Sequence, residues 1–162
     1  MARLPSSHPK SLELVRAAFV CDFARVRELL AEGASLEARD EDQRTPLFSA
    51  ILGNSVGVLG LLLEAGADVN AQDKDGWTAL HFTAQEHLPE MARILIGRGA
   101  DVNRQDNDGA TPLWRAVQAG RGRPEVISAL REGGAKDGIA NNNGETPRQL
   151  AERLGWPIFT AN

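Results

Sequence analysis

The chain restarts the same short pattern four times, and this periodicity constrains its fold more than any other feature. Each restart carries a threonine, and the intervals between successive threonines are 33, 33 and 35 residues: Thr45, Thr78, Thr111 and Thr146. A glycine followed by an alanine stands twelve residues before each threonine, so two independent landmarks keep one register. Repetition at this period predicts a repeat protein. Such proteins present an extended surface to other molecules, which makes binding the expected function.

The landmarks resemble a known family. The segment from Asp73 to Asn103 resembles a complete ankyrin repeat, as does the segment from Asp106 to Ala135, and the resemblance covers roughly residues 12 to 155. The chain departs from the family pattern at the hairpin glycine, the proline, the histidine and the loop length: Gln43, Ala79, Phe48, Trp114 and two residues added near Arg121 to Arg123. The resemblance implies an all-α solenoid of stacked helix-turn-helix units with β-hairpin-like connecting loops.

The helix boundaries follow from the landmarks. Threonine followed by proline suits a helix start, because the hydroxyl accepts a free amide and proline at the first helical position loses no hydrogen bond. We expect the second helix of the third repeat, which spans about residues 73–105, to run from about Pro89 to Arg98. Its inner face should carry Met91, Ile94 and Leu95. The glycine after each second helix is expected to end it in a left-handed conformation: Gly33, Gly66, Gly99 and Gly134.

These boundaries predict one domain with modified ends. We expect an extension over residues 1–10, one ankyrin-repeat domain over residues 11–159 and a tail over residues 160–162. Its units span about residues 11–39, 40–72, 73–105, 106–140 and 141–159, which amounts to about three full repeats between two capping units. The first unit lacks Thr-Pro but keeps an apolar set typical of a two-helix cap: Phe19, Phe23, Val26, Leu29 and Leu30.

The last unit and the first hairpin are irregular. The last unit has room for one helix, so we expect Trp156, Ile158 and Phe159 to fold back over the fourth repeat, with a dimer or partner contact as the alternative. At position 43 a glutamine replaces the glycine of the other hairpins. Adopting the glycine conformation would cost glutamine about 1–2 kcal/mol, which leaves open a different construction for the first hairpin.

Composition excludes several classes of function. The 162 residues contain 18 basic and 22 acidic side chains, with a net charge of −4, so the chain lacks the basic field that carries most nucleic-acid affinity. No run of apolar residues approaches the length of a signal peptide or a membrane span, so we expect a cytoplasmic protein without membrane contact. The single cysteine, Cys21, excludes an internal disulfide, and its apolar neighbours favour a buried structural thiol.

Catalytic and metal-binding patterns are not found in the sequence. The three histidines, His8, His81 and His87, have no carboxylate or cysteine at the spacing of a metal or catalytic motif. His81 stands where ankyrin repeats usually carry histidine, which favours a structural hydrogen-bonding role. The first aspartate of each hairpin group fits the hairpin's own hydrogen bonding, and a calcium loop is not present. We therefore expect no catalytic residue, no metal and no cofactor.

Partner-binding residues can be assigned by the resemblance, because ankyrin proteins bind through hairpin tips and the exposed start of the first helices, which line a concave face. Trp77 is not needed by the repeat skeleton, so we expect an interface anchor there, the alternative being a ring that covers a neighbouring hairpin. Trp114 is expected to be partly buried. The mixed charges of the face favour a polar protein surface or an extended peptide as partner. The candidates are Arg39, Glu41, Asp42, Arg44, Lys74, Asp75, Trp77, Gln85, Glu86, Asn107, Asp108, Trp114 and Gln118.

The predicted function is therefore a non-enzymatic protein-binding module, monomeric when free. By its resemblance to small bacterial ankyrin immunity proteins and other stoichiometric inhibitors, it is expected to neutralise a toxin, effector or enzyme. A scaffold or adaptor subunit is the main alternative. A synthetic repeat scaffold is disfavoured by the irregularities at Gln43, at Arg121 to Arg123 and in the caps.

Overall fold

The computed structural model describes residues 9–120 and 123–159, and the regular elements in these two ranges are nine α-helices and one 3-10 turn. The chain divides into two compact units, one ending at Lys74 and one beginning at Asp75. Three parts of the chain lie outside the described residues: residues 1–8 of the predicted extension, which include His8, residues 121 and 122 of the predicted insertion, and the predicted tail at residues 160–162. The predicted single domain over residues 11–159 stays a prediction.

The first unit contains two helix pairs. Helices α1 (Pro9–Phe19) and α2 (Phe23–Ala31) form one pair, and α3 (Pro46–Leu52) and α4 (Val56–Glu64) form the other. Side-chain oxygens begin α2 and α4, where Asp22 and Ser55 accept backbone amides at 3.0 and 3.2 Å. Fully buried leucine and isoleucine side chains from all four helices form the core of this unit: Leu14, Leu29, Leu47, Ile51, Leu59 and Leu62.

The second unit continues the pattern and ends with an unpaired helix. It contains α5 (Ala79–Gln85), α6 (Pro89–Gly97), α7 (Pro112–Ala119), α8 (Pro124–Glu132), α9 (Pro147–Arg153) and a 3-10 turn at Pro157–Phe159. Its first helices start as predicted, because the hydroxyls of Thr78, Thr111 and Thr146 accept amides of the first turn. Thr45 also precedes its helix, but its hydroxyl makes no such bond.

The Gly-Ala landmark is explained by the way the second helices end. The four glycines have left-handed φ angles of 80°, 93°, 87° and 91°, as predicted: Gly33, Gly66, Gly99 and Gly134. The amide of the following alanine donates to a carbonyl in the last helical turn, for example from Ala100 to Leu95 at 3.0 Å. The inner face of α6 was predicted less well, since Ile94 is half-buried and Ala92 is buried in its place.

The first hairpin is built like the others despite Gln43. Its φ angle is 61°, in the left-handed region that Gly109 adopts at 73° in the second unit. In both hairpins the backbone amide of this residue donates to the backbone carbonyl oxygen of the aspartate three residues earlier, at 3.0 and 2.9 Å. Glutamine therefore adopts a conformation that favours glycine, at a cost of about 1–2 kcal/mol.

The amino-terminal cap has two helices, as predicted, and Val26 and Leu29 of its apolar set are buried, but the two phenylalanines are exposed. Phe19 and Phe23 are 53% and 46% exposed. The prediction of a buried thiol was wrong, because Cys21 is exposed in the turn between α1 and α2. Its sulfur lies 3.0 Å from the carbonyl oxygen of Gly53. Apolar neighbours in the sequence indicated burial, but in this turn those neighbours are themselves exposed.

The end of the chain folds back over the fourth repeat, as predicted. The 3-10 turn buries Phe159 beneath the guanidinium of Arg131, 5.5 Å from the ring centre. Arg131 also donates to the carbonyl oxygen of Ile158 at 3.2 Å. Trp156 and Ile158 are half-buried, and Leu154 is 41% exposed.

Candidate partner-binding surface

The hairpins are closed by the first polar residue of each tip. In the first unit Asp40 accepts the amides of Asp42 and Arg44 through one carboxylate oxygen, at 2.9 and 2.8 Å. Asp106 and Asn141 accept two amides in the same way in the second unit. The hydrogen-bonding role predicted for the first aspartate of a hairpin group is confirmed for Asp40 and Asp106. Each tip is therefore held by its own side chain.

Neighbouring hairpin tips are joined by backbone hydrogen bonds within each unit. Lys74 donates its amide to the Asp42 carbonyl at 3.0 Å in the first unit. In the second unit Asn107 donates to Asp75 at 3.1 Å, and the next tip donates to Asp108 at 2.8 Å. Five of the predicted partner-binding residues therefore lie in tied tips, meaning hairpin tips whose backbone is hydrogen-bonded to a neighbouring tip. These hydrogen bonds fix the backbone positions from which their side chains project.

The first-unit candidates include a guanidinium that braces two loops. Arg39 donates to the carbonyl oxygens of Gln43 and Gln72 at 2.8 and 2.6 Å, so its charge is already engaged with the backbone. Glu41 is exposed at the tip. Of this pair, Glu41 has the side chain that a partner can reach more freely.

Asp42 lies between two cations in the same unit. Lys74 forms an ion pair with it, and Arg44 approaches its other carboxylate oxygen at 3.0 Å. The hydrogen bond from Lys74 and the charge of Arg44 hold the pKa of Asp42 below its ordinary value. The Arg44 guanidinium also lies 5.5 Å from the ring centre of Phe48. Three candidates therefore form one charged group of mixed sign.

The second unit is organised around Arg115, a residue that the sequence reasoning missed. Its side chain is 10% exposed and pairs with Asp106, whose side chain is 0% exposed, at 2.6 Å. The same nitrogen approaches Asp108 at 2.6 Å. The guanidinium lies 4.9 Å from the ring centre of Trp77 and 5.4 Å from that of Trp114. We call these five residues the Arg115 cluster.

Both tryptophans of the Arg115 cluster are less exposed than expected. Trp77 is half-buried against Arg115 and so is less exposed than expected, while its role as an interface anchor stays a prediction. Trp114 is 8% exposed, more deeply buried than the partial burial expected. Its indole N–H is also buried and has no hydrogen-bond partner among the described residues. Trp77 therefore keeps part of its surface exposed, whereas Trp114 lies almost wholly buried beside Arg115.

The remaining second-unit candidates lie around this cluster or at the end of α5. Gln118 is exposed one turn after Arg115, whose guanidinium donates to its side-chain oxygen at 3.4 Å. Asn107 is exposed on the tied tip. Gln85 is half-buried and Glu86 exposed where α5 ends. The structure thus brings Trp77, Asp108, Trp114 and Gln118 together at one guanidinium.

His81 has the structural role predicted for it. Its Nδ1 accepts the Thr78 amide at 3.1 Å, which places the proton on Nε2, and Nε2 donates to the carbonyl of Ala110 at 3.1 Å. The ring thereby links α5 to the next hairpin. Burial lowers the pKa of His81 to about 4, so the neutral ring is the form that the fold holds.

The described residues contain neither a cluster of metal-ligand side chains nor a helix suited to span a membrane. In residues 9–120 and 123–159, no group of three or more His, Cys, Asp or Glu side chains is arranged to hold a metal ion. None of the helices in these ranges combines the length and the apolar character needed to traverse a bilayer.

Paired short helices that alternate with side-chain-closed, mutually bonded hairpins define a helical repeat protein. The family model described as Ankyrin repeats (3 copies) matches residues 14–106 and 53–141, so the chain belongs to the ankyrin repeat family. The predicted all-α ankyrin-repeat fold class is thereby confirmed. Ankyrin repeats are protein–protein interaction modules and are typically non-enzymatic. A comparison with curated proteins finds no match.

Proposed function

We propose that this ankyrin protein binds and inhibits one partner protein, a toxin, effector or enzyme, through its hairpin tips and the adjoining first helices. The observation that carries the proposal is the Arg115 cluster. Arginine and tryptophan are the residue types that most often dominate binding energy at protein interfaces. Here both types stand beside tied hairpin tips that display further polar side chains.

Pre-organisation supports a binding role for this cluster. Two carboxylates and two aromatic rings already hold the Arg115 guanidinium. Immobilising a flexible side chain on binding costs about 0.5–1.5 kcal/mol, and this cost is largely met when the chain folds. A partner therefore meets a surface that needs little reordering.

The charges of the surface favour a polar protein partner. The side chain of Asp108 is 76% exposed and that of Lys74 is 52% exposed, and each already faces a charge of opposite sign. The tips carry charges of both signs, which suits a partner surface of mixed charge. Cytoplasmic location, a monomeric free state and the lack of enzymatic activity belong to this proposal as predictions.

The binding test uses one hairpin substitution and one matched control. The partner is first recovered from the native host or chosen from a neighbouring gene, and its affinity is measured by calorimetry. Asp108→Ala should weaken binding about fivefold or more, because it removes an exposed carboxylate while Arg115 keeps Asp106. Glu64→Ala removes an exposed carboxylate at the end of α4 and should leave affinity unchanged. The reverse pattern would refute the proposed surface.

Inhibition is distinguished from the adaptor alternative by titrating the partner's own activity. The proposal expects activity to fall in proportion to added protein and to vanish at one equivalent. An adaptor would leave the activity of the saturated complex intact. Retained activity at saturation would overturn the inhibitor assignment and favour a scaffold.

A further inference from the structure

An apolar cleft lies between the start of α8 and the carboxyl-terminal 3-10 turn. It has a volume of about 230 Å³, and its lining includes Gly120, Ile127, Trp156 and Ile158. Among the described residues that line the cleft, Arg123 has the only charged side chain. The cleft exists because Trp156 and Ile158 cover the fourth repeat at the place where a complete ankyrin repeat would have its second helix.

The size of the cleft limits what it can hold. Ligand pockets for drug-sized molecules span roughly 300–1,000 Å³, so this one is too small for such a ligand. It has room for roughly seven or eight waters at about 30 Å³ each. Waters against carbon atoms make few hydrogen bonds, and an apolar group that displaces them gains affinity. One large apolar side chain fits these dimensions.

Arg123 supplies the second element of recognition. It is exposed, precedes the first turn of α8, and has no ion-pair partner among the described residues. Its guanidinium is therefore available to a carboxylate that sits beside the apolar group. We propose that the cleft receives one leucine-sized apolar side chain of a partner protein, with an adjacent carboxylate bound by Arg123.

This site is separate from the Arg115 cluster within the same unit. Helix α7 has eight residues, so its two ends are roughly 12 Å apart. The Asp106 hairpin lies before its first residue, and Gly120 follows its last. The cleft can therefore bind its side chain whether or not the hairpin tips bind the inhibited partner, and the two proposals can fail independently.

The test is an NMR titration of the full chain with N-acetyl-L-leucine, which carries only the two groups to be recognised. We expect saturable shifts of the Ile127 methyl and Trp156 indole signals, while the Trp77 indole signal stays unchanged. The uncharged N-acetyl-L-leucine amide should bind at least threefold more weakly. No saturable shift, or shifts centred on Trp77, would overturn the proposal.

Two pairs of variants separate the apolar and the charged contributions. Ile158→Trp fills the cleft and should abolish the Ile127 shift, whereas Leu154→Trp adds the same ring outside the lining and should preserve it. Arg123→Ala should make the acid and the amide bind equally, and the exposed Arg93→Ala should keep the threefold difference. Undiminished preference for the acid in Arg123→Ala, or binding that survives a filled cleft in folded Ile158→Trp, would refute the assignment.

Discussion

Replacing Arg115 by methionine should destabilise the protein more than any other single charge removal named above. Methionine keeps the apolar stem of the side chain but leaves Asp106 buried without its cation. Asp106 would still accept the amides of Asp108 and Ala110 at 2.9 Å through one oxygen, while its other oxygen loses both hydrogen bonds from Arg115. The perturbation therefore isolates one buried, uncompensated charge.

The magnitude follows from the burial of both partners. Removing one member of a buried ion pair costs about 3–5 kcal/mol, whereas replacing both members can be nearly neutral. Adding Asp106→Asn should therefore recover part of the loss caused by Arg115→Met. Asparagine suits the position, because Asn141 closes the next hairpin with the same two amide bonds. Arg153→Met is the control, since that side chain is 62% exposed and ion pairs of exposed side chains contribute little to stability.

Urea unfolding followed by tryptophan fluorescence measures these differences. At a slope of about 2 kcal/mol/M, Arg115→Met should lower the midpoint by roughly 2 M, and Arg153→Met should lower it far less. The double variant should lie between Arg115→Met and the unmodified chain. Equal midpoints for Arg115→Met and Arg153→Met, or a double variant less stable than Arg115→Met alone, would show that the buried pair has been misread.

Three further substitutions test the hairpins and the histidine bridge. Gly76→Ala should lower stability by about 2 kcal/mol or more in thermal melts, because φ is 77° and the new Cβ would lie 2.8 Å from the Asn107 amide nitrogen. The control Gly138→Ala has open space around the new Cβ and should be nearly neutral. Gln43→Gly should raise the urea midpoint by the equivalent of about 0.5–1 kcal/mol by relieving left-handed strain. Because the folded pKa of His81 is depressed from 6.5 to about 4, its stabilisation is complete above pH 6.5 and is lost as pH falls towards 4. His81→Gln should therefore lose less stability than the unmodified chain between pH 7 and pH 4.5, and equal losses would contradict the assigned bridge.

The repeating parts of the fold could be predicted because their causes are local. A threonine hydroxyl caps the helix that follows it, and a glycine such as Gly99 adopts the left-handed angle that ends a helix. Both effects act within a few residues, so the sequence displays them directly. The role of His81 was also predictable, but only through the family pattern.

The proposed binding surface could be predicted only in outline, because it depends on contacts between side chains that only the folded chain brings together. Arg115 follows Asp106 by nine residues, and only the fold of the hairpin onto α7 brings them to 2.6 Å. An arginine in the first helix after an Asp-x-Asp hairpin is the signal that could have suggested the pair. Cys21 was misjudged for a related reason, since apolar neighbours do not indicate burial in an exposed turn.

Amide hydrogen exchange of the protein without any partner tests most directly whether the binding surface exists before binding. We expect strong protection, about a hundredfold or more, for the amides of Asn107 and Asn142, which donate to carbonyl oxygens of the preceding hairpins at 3.1 and 2.8 Å. Exchange of Asn107 and Asn142 at the rate of an unstructured peptide would contradict a preformed surface.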